Sequence, residues 1–153
     1  MINKTESSYP KPWIFENSDE QMFSPDQQYR IEYGTLIEFA QGSPLAGKCF
    51  LVDNSGGKHL VNELCGGPPI WNNEGTKVAI PVWKRTFLKG TIQKILIIDT
   101  NNKECTLFKK KFRVLDFKSF DKNIIYGIDS PVHKTDEIHF DLSKEQVEER
   151  YKI

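Results

Sequence analysis

Along the chain, apolar and polar positions follow the short period of β-strands. Runs such as Cys49-Phe50-Leu51-Val52, Val78-Ala79-Ile80, Ile95-Leu96-Ile97-Ile98 and Ile124-Ile125-Tyr126 are β-branched or aromatic and are bounded by Gly, Asn, Asp and Pro. Short apolar runs between turn formers predict strands joined by hairpins. The segment Tyr33 to Phe39 reads as a further strand. Near the C-terminus the pattern changes: Ser143-Lys144-Glu145-Gln146 has the form of a capping box, and Val147 and Tyr151 stand at i and i+4. That combination predicts a short helix from Lys144 to Tyr151. Residues 1–22, with their prolines and the aromatics Tyr9, Trp13 and Phe15, predict an irregular arm lying across the sheet.

The strand pattern repeats. Phe23-Ser24-Pro25-Asp26-Gln27-Gln28-Tyr29-Arg30-Ile31 and Ile70-Trp71-Asn72-Asn73-Glu74-Gly75-Thr76-Lys77-Val78 share the order aromatic, polar turn, strand, and Phe23 and Trp71 are 48 residues apart. Phe117 to Tyr126 gives a weaker third copy, 46 residues after Trp71. A second landmark recurs in the other half of each unit. Cys49 to Asp53 leads into Asn54-Ser55-Gly56-Gly57, and Ile95 to Asp99 leads into Thr100-Asn101-Asn102, with 46 residues between the two aspartates. Ile138 to Leu142 reads as a truncated third version. Asp53 and Asp99 end apolar strands, where an Asx-turn accounts for a carboxylate without catalysis.

A period in the mid-forties built of short strands resembles the β-propeller blades of the TolB and WD40 families, and the phrases at Phe23, Trp71 and Phe117 resemble the opening stretch of a TolB-like blade. The resemblance covers residues 20 to 142. It implies a mainly β fold of three blade-like antiparallel units, a partial propeller because three units are fewer than the ring needs, with an evenly spaced meander or sandwich as the alternative. The expected organisation is one domain over residues 1–153: the arm at 1–22, the repeats at 23–142 and the short helix at 143–153.

Composition narrows the function. Basic and acidic side chains balance at 21 each, which removes the strong positive charge of a nucleic-acid binder. No apolar run is long enough for a membrane helix, and residues 1–25 lack the apolar stretch of a signal peptide. The three cysteines form no Cys-x-x-Cys pair, and His59, His133 and His139 are too scattered for a zinc site. The expectation is a reduced cytoplasmic protein without metal or cofactor and without direct contact to nucleic acid or membrane. Charge is nevertheless segregated: residues 1–46 carry a net −4 and residues 135–153 a net −3, while residues 47–134 between them are basic.

Two strings invite chemistry. Gly42-Ser43-Pro44-Leu45-Ala46-Gly47-Lys48 fits the spacing of a phosphate loop, but Cys49 stands where a Ser or Thr must hold magnesium, and a strand rather than a helix follows. Lys109-Lys110-Lys111-Phe112-Arg113 is the basic run; strand alternation makes it an edge strand whose lysines discourage aggregation. Cys65 lacks a recognisable base and reads as an inert thiol.

What remains is a non-enzymatic binding module. With a propeller-like surface, acidic ends and an aromatic arm, the chain resembles the immunity proteins that neutralise secreted bacterial toxins, such as those of contact-dependent growth inhibition. The resemblance implies a protein partner, a basic toxin domain with a nuclease as one such case, occluded at its active site. Trp13, Phe15, Glu16, Asp19 and Glu20 are the expected contact residues, the aromatics as anchors and the acids for steering. The alternative is a scaffolding or regulatory subunit of a protein complex.

Overall fold

Hairpin signals in the sequence become antiparallel pairs in space. The computed structural model describes residues 10–87 and 90–153. Its strands are β1 (Tyr29–Tyr33), β2 (Ile37–Glu38), β3 (Leu45–Asp53), β4 (Lys58–Cys65), β5 (Ile70–Trp71), β6 (Lys77–Thr86), β7 (Gly90–Asp99), β8 (Glu104–Phe108), β9 (Leu115–Asp121), β10 (Ile124–Asp129), β11 (Asp136–Asp141) and β12 (Val147–Lys152). One sheet runs in the order β1-β3-β4-β6-β7-β8-β12, with β2 added on β3 and β5 on β6; a second sheet is β11-β10-β9. Neither closes into a ring.

Burial explains the layering. β6 and β7 are apolar at successive positions, so both faces of this hairpin need cover. Val78, Ile80, Val82, Leu96 and Ile98 share one core with Ile31, Leu51 and Val61 of β1, β3 and β4. The intervening Ala79, Ile95 and Ile97 share another with Leu115, Phe120, Ile125 and Phe140 of the second sheet. The result is three β layers with β6 and β7 in the middle one. The first two layers meet at one backbone pair, Cys65 with Val82.

The chain passes between those layers as Cys65-Gly66-Gly67-Pro68-Pro69, buried throughout. Only glycine fits the middle of this crossing. A Cβ on Gly66 would lie 2.6 Å from Gln93 Nε2 and 3.1 Å from Trp83 Nε1, and one on Gly67 would lie 2.7 Å from the Tyr33 hydroxyl and 2.8 Å from the Phe15 ring. Gly66 is paired on both sides: its N–H donates to Pro81 O at 2.8 Å, and the Tyr33 hydroxyl donates to Gly66 O at 2.7 Å.

Two of the repeated turns are the same turn. Ser24 N–H donates to Tyr29 O and Asn72 N–H to Lys77 O, each at 2.9 Å, and Gln27 (φ 61°) and Gly75 (φ 76°) take the left-handed conformation at matching positions. The third copy departs: its hairpin closes over Lys122-Asn123, and the buried aromatic before the turn is Phe120 rather than Phe117. Its turn still joins the row, since Gly75 abuts Pro25 and Asn73 Nδ2 donates to Asp121 Oδ1 at 3.1 Å. The second landmark has the same local geometry at each of its three positions. Asp53, Asp99 and Asp141 each end a strand and accept the N–H two residues on, at 3.1, 3.0 and 2.9 Å.

Two expectations are corrected. The predicted C-terminal helix is the strand β12, which pairs antiparallel with β8. Ser143 caps nothing; its hydroxyl and N–H both donate to Asp141 Oδ1, at 2.7 and 2.9 Å. An isolated helix of about eight residues is marginal, whereas the free edge of β8 offers a ladder of backbone partners, and the Tyr151 hydroxyl reaches across to Val61 O at 2.7 Å. The basic run is likewise not an edge strand. Lys109, Lys110 and Lys111 lie in the connection after β8, whose outer edge β12 covers, and Phe108 and Phe112 both turn inward on Phe140, with ring centroids 5.2 and 6.1 Å away.

Tyr151→Phe should lower stability by about 1 kcal/mol, the net worth of one hydrogen bond, read as a lower denaturant midpoint at unchanged slope; no change would show that the hydroxyl does not tie β12 to Val61. Acid should act through the turns. Hydroxyls of Ser55, Ser143 and Ser24 hold the carboxyls of Asp53, Asp141 and Asp26 below their ordinary range, and the Lys58 ammonium does the same for Glu32. A carboxyl whose folded pKa is depressed stabilises the fold above its unfolded pKa and loses that contribution as pH falls through the folded one. The unfolding midpoint should therefore drop as pH falls below about 4, with a shallower dependence in Ser55→Ala and Ser143→Ala.

Candidate functional site

The arm is built into the monomer before it can reach a partner. Lys11–Trp13 and Glu20–Met22 form single turns of 3-10 helix, the first with Pro12 near its start, where the missing N–H is not needed. The half-buried Trp13 donates its indole N–H to Gly42 O at 2.9 Å. Phe15, 2% exposed, lies edge-on to Tyr33 with centroids 5.0 Å apart. Between these anchors Asn17 imitates a strand neighbour: its amide donates to Tyr33 O at 2.9 Å and accepts from Tyr33 N at 2.8 Å. Tyr9 lies outside the described residues.

This settles how the five expected contact residues are placed. Phe15 belongs to the core, so it is not an exposed anchor, and Trp13 is held by the β2–β3 connection. Asp19 engages locally, its carboxylate accepting Glu16 N–H at 3.0 Å. Glu16 and Glu20 face solvent. The acids of the other terminus sit on different elements, Asp136, Glu137 and Asp141 on β11 and Glu148 and Glu149 on β12, which pack on β10 and β8, whereas the arm packs on β1, β5 and β9. Glu148 there is paired with Lys94.

A groove of about 340 Å³ opens where the arm meets β5 and β9. Its apolar wall is Phe23, Pro68, Pro69, Ile70, Trp71 and Phe117; its polar rim is Lys11, Gln21, Asp116 and Lys118. The three aromatics are the repeat landmarks of the sequence, brought to one place. They are not equally packed: Trp71 is buried and tied through its indole N–H to Met22 O at 3.2 Å, while Phe23 is 38% exposed. The buried Asp116 carboxylate is neutralised by Lys118 at 3.1 Å. Aromatic and prolyl faces with a few polar groups at the edge suit an extended apolar or proline-containing segment, a shape-based fit rather than a bond-making one.

The nucleophiles lie elsewhere and are quenched. Cys49, Cys65 and Cys105 are buried free thiols. Cys65 Sγ donates to Cys49 Sγ at 2.9 Å, burial pushes the Cys49 thiol well above its ordinary range, and burial pushes Cys105 up to about 12. A thiol held protonated is a poor nucleophile. Lys48 sits within β3, exposed and 3.9 Å from Glu63, so the Gly42 to Lys48 string supplies a strand where a phosphate would need a loop of converging N–H groups. His59 is on β4, His133 follows β10 and His139 lies against Tyr126 on β11; among the described residues no group of three His, Cys, Asp or Glu converges as a metal site would require.

The groove was half legible in sequence. The landmark aromatics are visible by their spacing, but spacing does not say that Phe23 lies at the surface, and nothing in the sequence marks Pro68-Pro69 as a wall. No family model, curated relative or solved structure matches the chain.

Phe15→Ala should destabilise the free protein by about 3–5 kcal/mol, the usual cost of emptying a buried aromatic site, whereas Phe23→Ala should leave the melting temperature nearly unchanged. Equal losses, measured by thermal unfolding without any partner, would contradict the division between core and groove.

Proposed function

We propose that this chain is a non-enzymatic protein-binding module, and that it acts as an immunity protein: it binds a cognate bacterial toxin domain and neutralises it by occluding the active site. The observation that carries the reading is the groove, where an exposed Phe23 stands beside apolar walls, one turn after the solvated Glu20, whose carbonyl accepts Phe23 N–H at 3.1 Å. An aromatic anchor in an apolar setting with charge at the rim is the usual anatomy of a binding hot spot.

Electrostatics suggests the partner's character. A toxin that cleaves nucleic acid needs a basic cleft, because phosphate contacts dominate its substrate affinity. An acidic arm complements such a cleft and speeds the encounter. The blade-like reading of the repeats is part of the proposal. It is supported by the matched turns at Ser24 and Asn72, which stand side by side with that at Asp121, as successive units of one repeat do.

The test is to express any toxin-like domain encoded beside the gene and to measure its complex with this chain; the lack of a complex with such a domain would overturn the reading. Glu16→Lys with Glu20→Lys should slow association and flatten its salt dependence, since exposed charges act on encounter. Phe23→Ala should instead speed dissociation by a factor that corresponds to about 2 kcal/mol. Unaltered rates in both variants would remove the groove from the interface, and a toxin left fully active in the complex would remove occlusion.

A further inference from the structure

The two sheets end on β1, β12, β9 and β11, and the first three are covered or interrupted. β1 lies under the arm, where Asn17 hydrogen-bonds both the N–H and the C=O of Tyr33. β9 has β5 and the Lys11–Trp13 turn as neighbours, and the register of β12 shifts between Val147 and Glu149. β11 is different. Its six residues pair one to one with β10, from Asp136 with Asp129 to Asp141 with Ile124, without a shift, and among the described residues no strand pairs with its other side. In an antiparallel ladder every second residue turns both its N–H and its C=O away from the partner. An even edge of this kind, about 20 Å long at a rise of about 3.3 Å per residue, is a template for one more strand.

β11 carries no proline, no lysine and no bulge to guard that edge. Its charges are acidic and unevenly answered. Asp136 meets Arg113 at 3.5 Å, and Asp141 accepts from Ser143 with Lys144 nearby. Glu137 is exposed and makes no ion pair among the described residues. Strand alternation sets Glu137, His139 and Asp141 on the outer face, where His139 lies edge-on to the exposed Tyr126 with centroids 4.8 Å apart. Ile138 and Phe140 take the inner face, and Ile138 is only half-buried against the second core. The core therefore reaches this edge without being finished there.

We propose that β11 receives an extended segment of a basic protein partner as a further strand, with a lysine or arginine opposite Glu137 and an apolar side chain beside Ile138. The backbone supplies the attachment, because a row of N–H and C=O groups at two-residue spacing is matched by another backbone. The acids supply the sign. Opposite charges across a strand pair stabilise it and like charges destabilise it, so a second copy, whose β11 brings the same Asp136, Glu137 and Asp141 and no lysine or arginine, is disfavoured. The edge shares no residue with the groove at Phe23 and does not rest on the reading given to that groove.

The test uses a short amidated peptide of alternating lysine and valine, its glutamate–valine counterpart, and residue-resolved hydrogen exchange of the full chain. The lysine peptide is expected to slow exchange at the β11 amides that face away from β10, less so at high salt, and the glutamate peptide to leave them unchanged. Glu137→Lys should weaken the lysine peptide about fivefold at an unchanged melting temperature, as an attractive cross-strand pair becomes a repulsive one. Methylating the peptide's amide nitrogens at every second residue separates strand pairing from plain charge attraction. One of the two frames should lose binding and the other keep it, because one frame of N–H groups faces β11. No binding, binding without protection of β11, equal binding of the two peptides, loss in both frames or in neither, or a chain that dimerises through β11 would each overturn the proposal.

Discussion

The two-sided burial of the β6–β7 hairpin is the constraint from which the rest of the architecture follows. A strand pair that is apolar at successive positions cannot leave either face in water without exposing much of its own surface. One face is covered by β1, β3 and β4, which are joined to β6 through a single backbone pair; the other is covered by the three-stranded sheet. Each cover needs only one apolar face, and their strands alternate accordingly, as in β1 and β10. The same constraint makes the Gly66-Gly67 crossing necessary: the chain must change layers through the interior, and Trp83, Gln93, Phe15 and Tyr33 leave no volume there for a side chain.

Polar groups at the layer ends fix the orientation that apolar burial alone would leave loose. Asp53, Asp99 and Asp141 terminate strands by accepting the next available N–H, so that the strands end at a defined residue instead of fraying. Asn17 ties the arm to β1 through two hydrogen bonds, and the Tyr151 hydroxyl ties the last strand to β4. Hydrogen bonds of this kind contribute modestly one by one, but they select a single register among several of similar apolar burial.

With the interior committed to packing and the Cys49 and Cys105 thiols raised by burial, what differs from place to place is the surface. The groove of Phe23, Trp71 and Phe117 is concave and apolar, with Lys11, Asp116 and Lys118 at its rim, and Glu16 and Glu20 face solvent on the arm. Lys109, Lys110 and Lys111 lie elsewhere, in the connection after β8. The net balance of charge conceals this division, because the acidic and basic residues are equal in number and unequal in place.

Local sequence determined the strands, the hairpins after Asp53 and Asp99, and the equivalence of the turns at Ser24 and Asn72, because alternation and turn chemistry act over a few residues. It also placed the repeat aromatics. Tertiary structure decided the rest. The segment from Lys144 to Tyr151 had the caps and spacing of a helix, yet the open edge of β8 offered it more hydrogen bonds than it could make alone. Phe15 and Phe23 look alike in sequence, but only the layers packed around them made the first core and the second surface. Lys109 to Lys111 read as an edge strand, but β12 took the edge of β8 and left them in the connection that follows. Such outcomes depend on contacts between residues far apart in the chain, and the energy of those contacts does not exist until the layers have formed.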